Sequence, residues 1–168
     1  MSPDLAAQTH RLLVHAHLNA ARTASDAVWW AVAAIESGYD TDTLRMLAAE
    51  HAATASLRDV WPDVERAMQE IGYPIPSRQE VLETEAQRLC HALLDADTHD
   101  PSDLYPLLEQ LHRIDKEKAF DEGGNDLDRF YWIVLEYEEL YAGEMRNSPE
   151  NLLAFLRAVA HEYLTGEK

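Results

Sequence analysis

Residues 127–143 read LDRFYWIVLEYEELYAG, the densest run of large apolar and aromatic residues in the chain. At about 100° per residue, Leu127, Phe130, Val134, Tyr137 and Tyr141 fall on one stripe with spacings of three and four. Tyr131, Ile133 and Leu135 widen it, so this helix is expected to touch neighbours on more than one side. The run is too long for a strand and has the wrong period. Asn125 or Asp126 can cap its start and Gly143 can end it. The sequence therefore predicts a central aromatic helix near 127–143. Trp132 lies opposite the stripe beside Asp128, Glu136 and Glu139, while Glu138 lies close to the apolar side.

Outward from that run, helix signals succeed one another and no segment alternates with period two. Ser2, Pro3 and Asp4 open a helix carrying Leu5, Leu12, Leu13 and Ala16 towards Ala21. Ser25 or Asp26 can cap the next, in which Val28, Ala31, Val32 and Ile35 share a face and Gly38 supplies a left-handed stop. Trp29 and Trp30 diverge by about 100°, so at least one lies off the centre of that face. Asp40, Thr41 or Asp42 caps a short helix with Leu44, Leu47 and Ala48. A cap at Asp59 would place Pro62 third in the following helix, whose stripe is Val60, Val64, Ala67 and Ile71.

GYPIPS, residues 72–77, is the clearest punctuation, because each proline turns its predecessor away from helix. Ser77 with Glu80 forms a capping box for a helix with Leu82, Ala86, Leu89 and Leu93 inward and Cys90 as a small buried residue. Leu104, Leu107, Leu108 and Leu111 line another helix. Its start, Asp103 to Pro106, echoes Asp59 to Pro62, either as a trace of duplication or as an independent use of cap and early proline. Residues 115–126, DKEKAFDEGGND, read as a polar mobile loop anchored by Phe120. Arg146 to Ser148 turn the chain into a last helix, with Pro149 first, Leu152, Leu156, Val159, Ala160 and Tyr163 inside, and Gly166 closing it. The expected fold is all-α, a bundle of seven or eight helices over 1–168, with sub-bundles 1–72 and 77–168.

A chain of 168 residues buries enough surface to need no metal or disulfide staple. Its single cysteine forms no internal disulfide, and no leader pattern opens it, so the expected location is the cytoplasm. No apolar run is long enough to cross a bilayer. The net charge of −17 is uneven: residues 1–75 carry 5 basic and 10 acidic side chains, residues 76–168 carry 9 and 21. Such a surface repels nucleic acid and anionic lipid and attracts basic proteins, although it also serves solubility alone.

Local chemistry is sparse. A di-iron site needs two Glu-x-x-His motifs, and only Glu109 to His112 has the spacing. The eight histidines include no His-x-x-x-His pair, His10 and His17 align two turns apart without a third ligand, and Cys90 and His91 diverge on their helix. Gly123-Gly124 lacks the strand and the lysine of a phosphate loop. No metal, cofactor or catalytic residue is expected. The partner-binding candidates are Asp121, Glu122, Asp128, Trp132, Glu136 and Glu139, an aromatic anchor inside an acidic rim; the plainer alternative is that another helix covers Trp132. A second reading is an enzyme or small-ligand protein with a cleft between sub-bundles among Trp132, Tyr137, Glu138 and Tyr141.

GYDTDTLRMLA, residues 38–48, after the Trp29-Trp30 helix and before a helix ending in an Ile-Gly turn, resembles a segment of small helical bacterial proteins. The whole chain, small, acidic and helical, is similar in character to immunity proteins that neutralise secreted bacterial toxins. That resemblance implies a basic toxin as partner and carries no binding residue with it.

Overall fold

The computed structural model describes residues 2–18, 24–50 and 55–122, with side chains to residue 118 in that last stretch, then Leu127, Phe130, Leu135 and residues 148–166. Among the described residues there are seven α-helices, one 3-10 turn and no strand. They are α1 (Pro3–His17), α2 (Ser25–Glu36), α3 (Asp42–Ala48), α4 (Leu57–Glu70), α5 (Arg78–Asp95), the 3-10 turn Pro101–Leu104, α6 (Tyr105–Glu122) and α7 (Pro149–Thr165). The fold is all-α. The chain forms two compact units, residues 1–81 and 82–168.

In the first unit α2 packs against α1, α3 and α4. Its own composition makes this possible: Ala27, Ala31 and Ala34 are fully buried, and alanine lets neighbouring backbones approach closely. Leu5, Leu12 and Leu13 of α1, Leu44 and Leu47 of α3, and Val60, Val64, Ala67 and Met68 of α4 fill the space around it. Trp30 is the largest buried side chain, and its indole N–H donates to the Thr9 hydroxyl at 2.9 Å, which in turn donates to the Leu5 carbonyl at 2.7 Å. A buried aromatic donor is thereby satisfied through one threonine.

Caps follow local chemistry where a hydroxyl stands at the boundary. Ser2, Thr41, Ser56 and Ser148 each accept from a backbone N–H two or three residues on. Ser77 and Glu80 complete the capping box, with Ser77 N–H donating to Glu80 Oε2 at 2.8 Å and Glu80 N–H to Ser77 Oγ at 3.3 Å. Gly38 and Gly166 take φ of 92° and 70°, the left-handed conformation that ends a helix without a Cβ penalty.

Three expectations are corrected. Ala24, whose side chain offers no acceptor, precedes α2, so Ser25 and Asp26 are its first two residues and neither is its cap. The cap of α4 is Ser56, three residues before Asp59, which makes Pro62 the sixth helical residue, inside the hydrogen-bonded body of the helix. Residues 115–122 continue α6 and form no loop. Nothing in DKEKAFDE breaks a helix before Gly123, and Lys, Glu and Ala are good helix formers. Asp115 is buried and Lys118 points inward.

The second unit buries Leu82, Ala86, Leu89 and Leu93 of α5 with Leu104, Leu108, Leu111 and Ile114, and with Leu152, Leu156 and Val159 of α7. Leu127 and Phe130 are buried, and Phe130 and Leu135 have helical backbone. The rest of the predicted central aromatic helix, and the turn at Arg146 and Asn147, lie outside the described residues. No described helix is long and apolar enough to cross a membrane.

Candidate functional site

In the second unit, Lys118 and Arg157 turn inward, whereas Arg88, Arg113 and Lys116 are exposed. Lys118 Nζ sits 2.6 Å from Glu83 Oε2, 3.3 Å from the Tyr163 hydroxyl and 5.7 Å from the centre of the Tyr163 ring, with its side chain only 13% exposed. Tyr163 also donates to Glu83 Oε2, at 2.8 Å. Burial pushes the Glu83 carboxyl up, but the bonds from Lys118 and Tyr163, the Lys118 charge and the bond from Gln87 outweigh it and hold the carboxyl below its ordinary range. One carboxylate thus joins α5, α6 and α7. Arg157 Nη2 donates to the carbonyls of Ala96 and Thr98, at 3.1 and 3.4 Å, just past the last turn of α5, where a cation meets the negative end of the helix. Arg88 holds the buried Glu85 through both carboxylate oxygens, at 2.7 and 2.8 Å.

The acids of the adjoining loop face outward. Asp95, Asp97, Asp100 and Asp103 are all exposed within nine residues. Asp100 caps the 3-10 turn through Ser102 N–H at 2.8 Å, and Asp103 accepts from the Thr98 hydroxyl. These bonds fix the loop without cancelling its charge. Cys90 is fully buried, and burial together with the Glu83 charge pushes its thiol up to about 12. It stays a thiol at neutral pH and serves packing.

The first unit holds an open cleft of about 280 Å³ between α1 and α2, lined by Asp4, Gln8, Arg11 and Leu12 on one side and Asp26, Trp29 and Trp30 on the other. Asp4, Gln8 and Arg11 recur at intervals of four and three, so they share one flank of α1. Trp29 is 65% exposed, whereas its neighbour Trp30 is 1% exposed. Asp26 Oδ2 lies 2.8 Å from His15 Nδ1, and Gln8 Nε2 donates to Asp4 Oδ2 at 3.1 Å. The arrangement can bind and orient a guest; it presents no nucleophile with an adjacent base.

Of the residues predicted to contact a partner, Asp121 and Glu122 are the last two of α6, described by backbone alone. Asp128, Trp132, Glu136 and Glu139 lie outside the described residues, as do Tyr137, Glu138 and Tyr141 of the second reading. Among the described residues no three His, Cys, Asp or Glu side chains converge as metal ligands. Glu109 is exposed and 3.9 Å from Arg113. Sequence reasoning missed the α1–α2 cleft. The divergence of Trp29 from Trp30 was its one signal, and that divergence does not say which ring is covered.

Compared with protein-family models, curated proteins and solved structures, the chain matches none.

Proposed function

We propose that this chain is a protein-binding module that uses acidic surface in its second half to hold a basic protein, acting as a toxin-neutralising partner of the immunity type in the cytoplasm. The observation that carries the reading is the cluster of four exposed aspartates within residues 95–103. Lys118, Arg157 and Arg88 are engaged by groups of the same unit and Arg113 and Lys116 are exposed on α6, while Asp95, Asp97, Asp100 and Asp103 stand exposed together in and beside the loop after α5. Carboxylates left uncompensated on a chain of net charge −17 raise the encounter rate with a cationic surface and make the complex sensitive to salt. The central aromatic helix near 127–143 belongs to the same reading. In this reading Asp121 and Glu122 at the end of α6, together with Asp128, Trp132, Glu136 and Glu139, are the contacts offered to the partner, and the burial of Leu127 and Phe130 supports a packed origin for that helix.

The test is affinity capture from the native host with the wild type and with the triple variant Asp95→Asn, Asp97→Asn, Asp103→Asn. Basic proteins are expected in the wild-type eluate at low salt, reduced by the variant and released as salt screens the exposed charges. An identical set of captured proteins for both chains would remove the basis of the reading.

A further inference from the structure

The α1–α2 cleft combines features that the acidic-surface reading does not use. Trp29 offers a largely exposed indole face. Among the described residues its N–H takes no hydrogen bond, and the exposed Arg11 guanidinium takes neither a hydrogen bond nor an ion pair. Asp4 has only the Gln8 amide. An aspartate and an arginine therefore line one cleft on one flank of one helix without neutralising each other.

Their spacing is informative. Seven residues separate them, about 10 Å along the helix axis, and a long helical side chain tends to lean towards the N-terminus, the direction in which Gln8 and Asp4 lie from Arg11. The carboxylate of Asp26 on the opposite wall is taken up with His15, 2.8 Å away, so on the α1 flank a guest with one charge meets an attraction and a repulsion. A dipolar guest meets two attractions. The ammonium and carboxylate of an α-amino acid, on the order of 3 Å apart, plus two charge-assisted contacts of about 2.8 Å, span roughly 8–9 Å. A volume of about 280 Å³ lies at the lower edge of the range for small-molecule sites and is suited to a guest of this size. The exposed indole of Trp29 then presents apolar surface to the guest's side chain.

We propose that this cleft binds a free α-amino acid with an apolar or aromatic side chain, its ammonium on Asp4, its carboxylate on Arg11 and its side chain against Trp29. A peptide terminus supplies one of the two charges and not both, so the ligand is the free amino acid. The inference is independent of the acidic-surface reading, because every residue it uses lies in residues 1–81.

The experiment is a nuclear magnetic resonance titration of the full chain, following the Trp29 indole N–H signal, which is assigned by its loss in Trp29→Phe. The probes are L-phenylalanine, phenethylamine, which lacks the carboxylate, and 3-phenylpropionate, which lacks the ammonium. L-Phenylalanine is expected to give a saturable shift, with each half-ligand weaker by about tenfold or more, the worth of one charge-assisted bond. Asp4→Asn is expected to bring L-phenylalanine down to the affinity of 3-phenylpropionate, and Arg11→Gln to that of phenethylamine. Equal binding of all three probes by the wild type, or no saturable shift with L-phenylalanine up to tens of millimolar, would overturn the proposal. That comparison uses the unaltered protein, so it decides even if a variant folds poorly.

Discussion

Thr9 is a small residue with a large structural duty, since its hydroxyl is the acceptor for the buried Trp30 N–H. Thr9→Val keeps the shape and removes that acceptor, so stability is expected to fall by about 1–3 kcal/mol. Thr9→Ser, which keeps the hydroxyl, is expected to lose less, and denaturant unfolding of the pair measures the difference. His17 provides a second handle. Its ring meets Trp61 edge-on at 6.3 Å, and its Nε2 is buried without a hydrogen bond. Burial and the Arg78 charge push its pKa below 6.5, against a smaller opposing pull from Glu65. The unfolded chain therefore binds this proton more readily. The stability linked to His17 is complete above 6.5 and is lost as pH falls through the lower folded value. His17→Leu is expected to flatten the decline of melting temperature just below pH 6.5; an unchanged slope would mean that the ring charges freely in the folded state. Glu83 has the same sign in a more acidic window. Its contribution is present above 4.5 and is lost as pH falls through its depressed folded value. Glu83→Gln is therefore expected to be destabilising at neutral pH and to converge with the wild type in acid.

At the scale of the element, α4 carries a built-in cost. Pro62, sixth in the helix, has no N–H for the Arg58 carbonyl and crowds it. Pro62→Ala is expected to raise stability by about 1–3 kcal/mol, read as a shift in denaturant midpoint with an unchanged slope. No gain would show that the helix has already bent to accommodate the ring. The position of that proline was not legible because Ser56 and Asp59 are both good caps, and burial of Leu57 favours the earlier start by adding a turn to the core. The error at residues 115–122 has a related cause. Mixed charge and few apolar residues read as loop, yet charged side chains that form helix well propagate an existing helix until glycine intervenes. In contrast, the Ser77–Glu80 box, the Gly38 stop and the Ser148-Pro149 start were legible because each is satisfied by residues within a few positions.

For the whole molecule, a net charge of −17 implies self-repulsion that opposes compaction. Raising ionic strength near neutral pH is expected to raise the melting temperature, most steeply up to about 0.1 M, where the screening length has shrunk to about 10 Å. A melting temperature that falls with added salt would show that internal pairs such as Lys118–Glu83 outweigh the repulsion. The sequence by itself determined the all-helical class, most helix boundaries and the sign of the surface, because periodicity, caps and formal charge depend on residues near one another in the chain. Only the tertiary structure decided that Trp30 goes inside while Trp29 stays out, that Lys118 turns inward to Glu83, and that Asp4 and Arg11 share a cleft with an indole. Those outcomes depend on which surface another helix covers, and burial and pairing across long sequence separations are set by packing that no local pattern encodes.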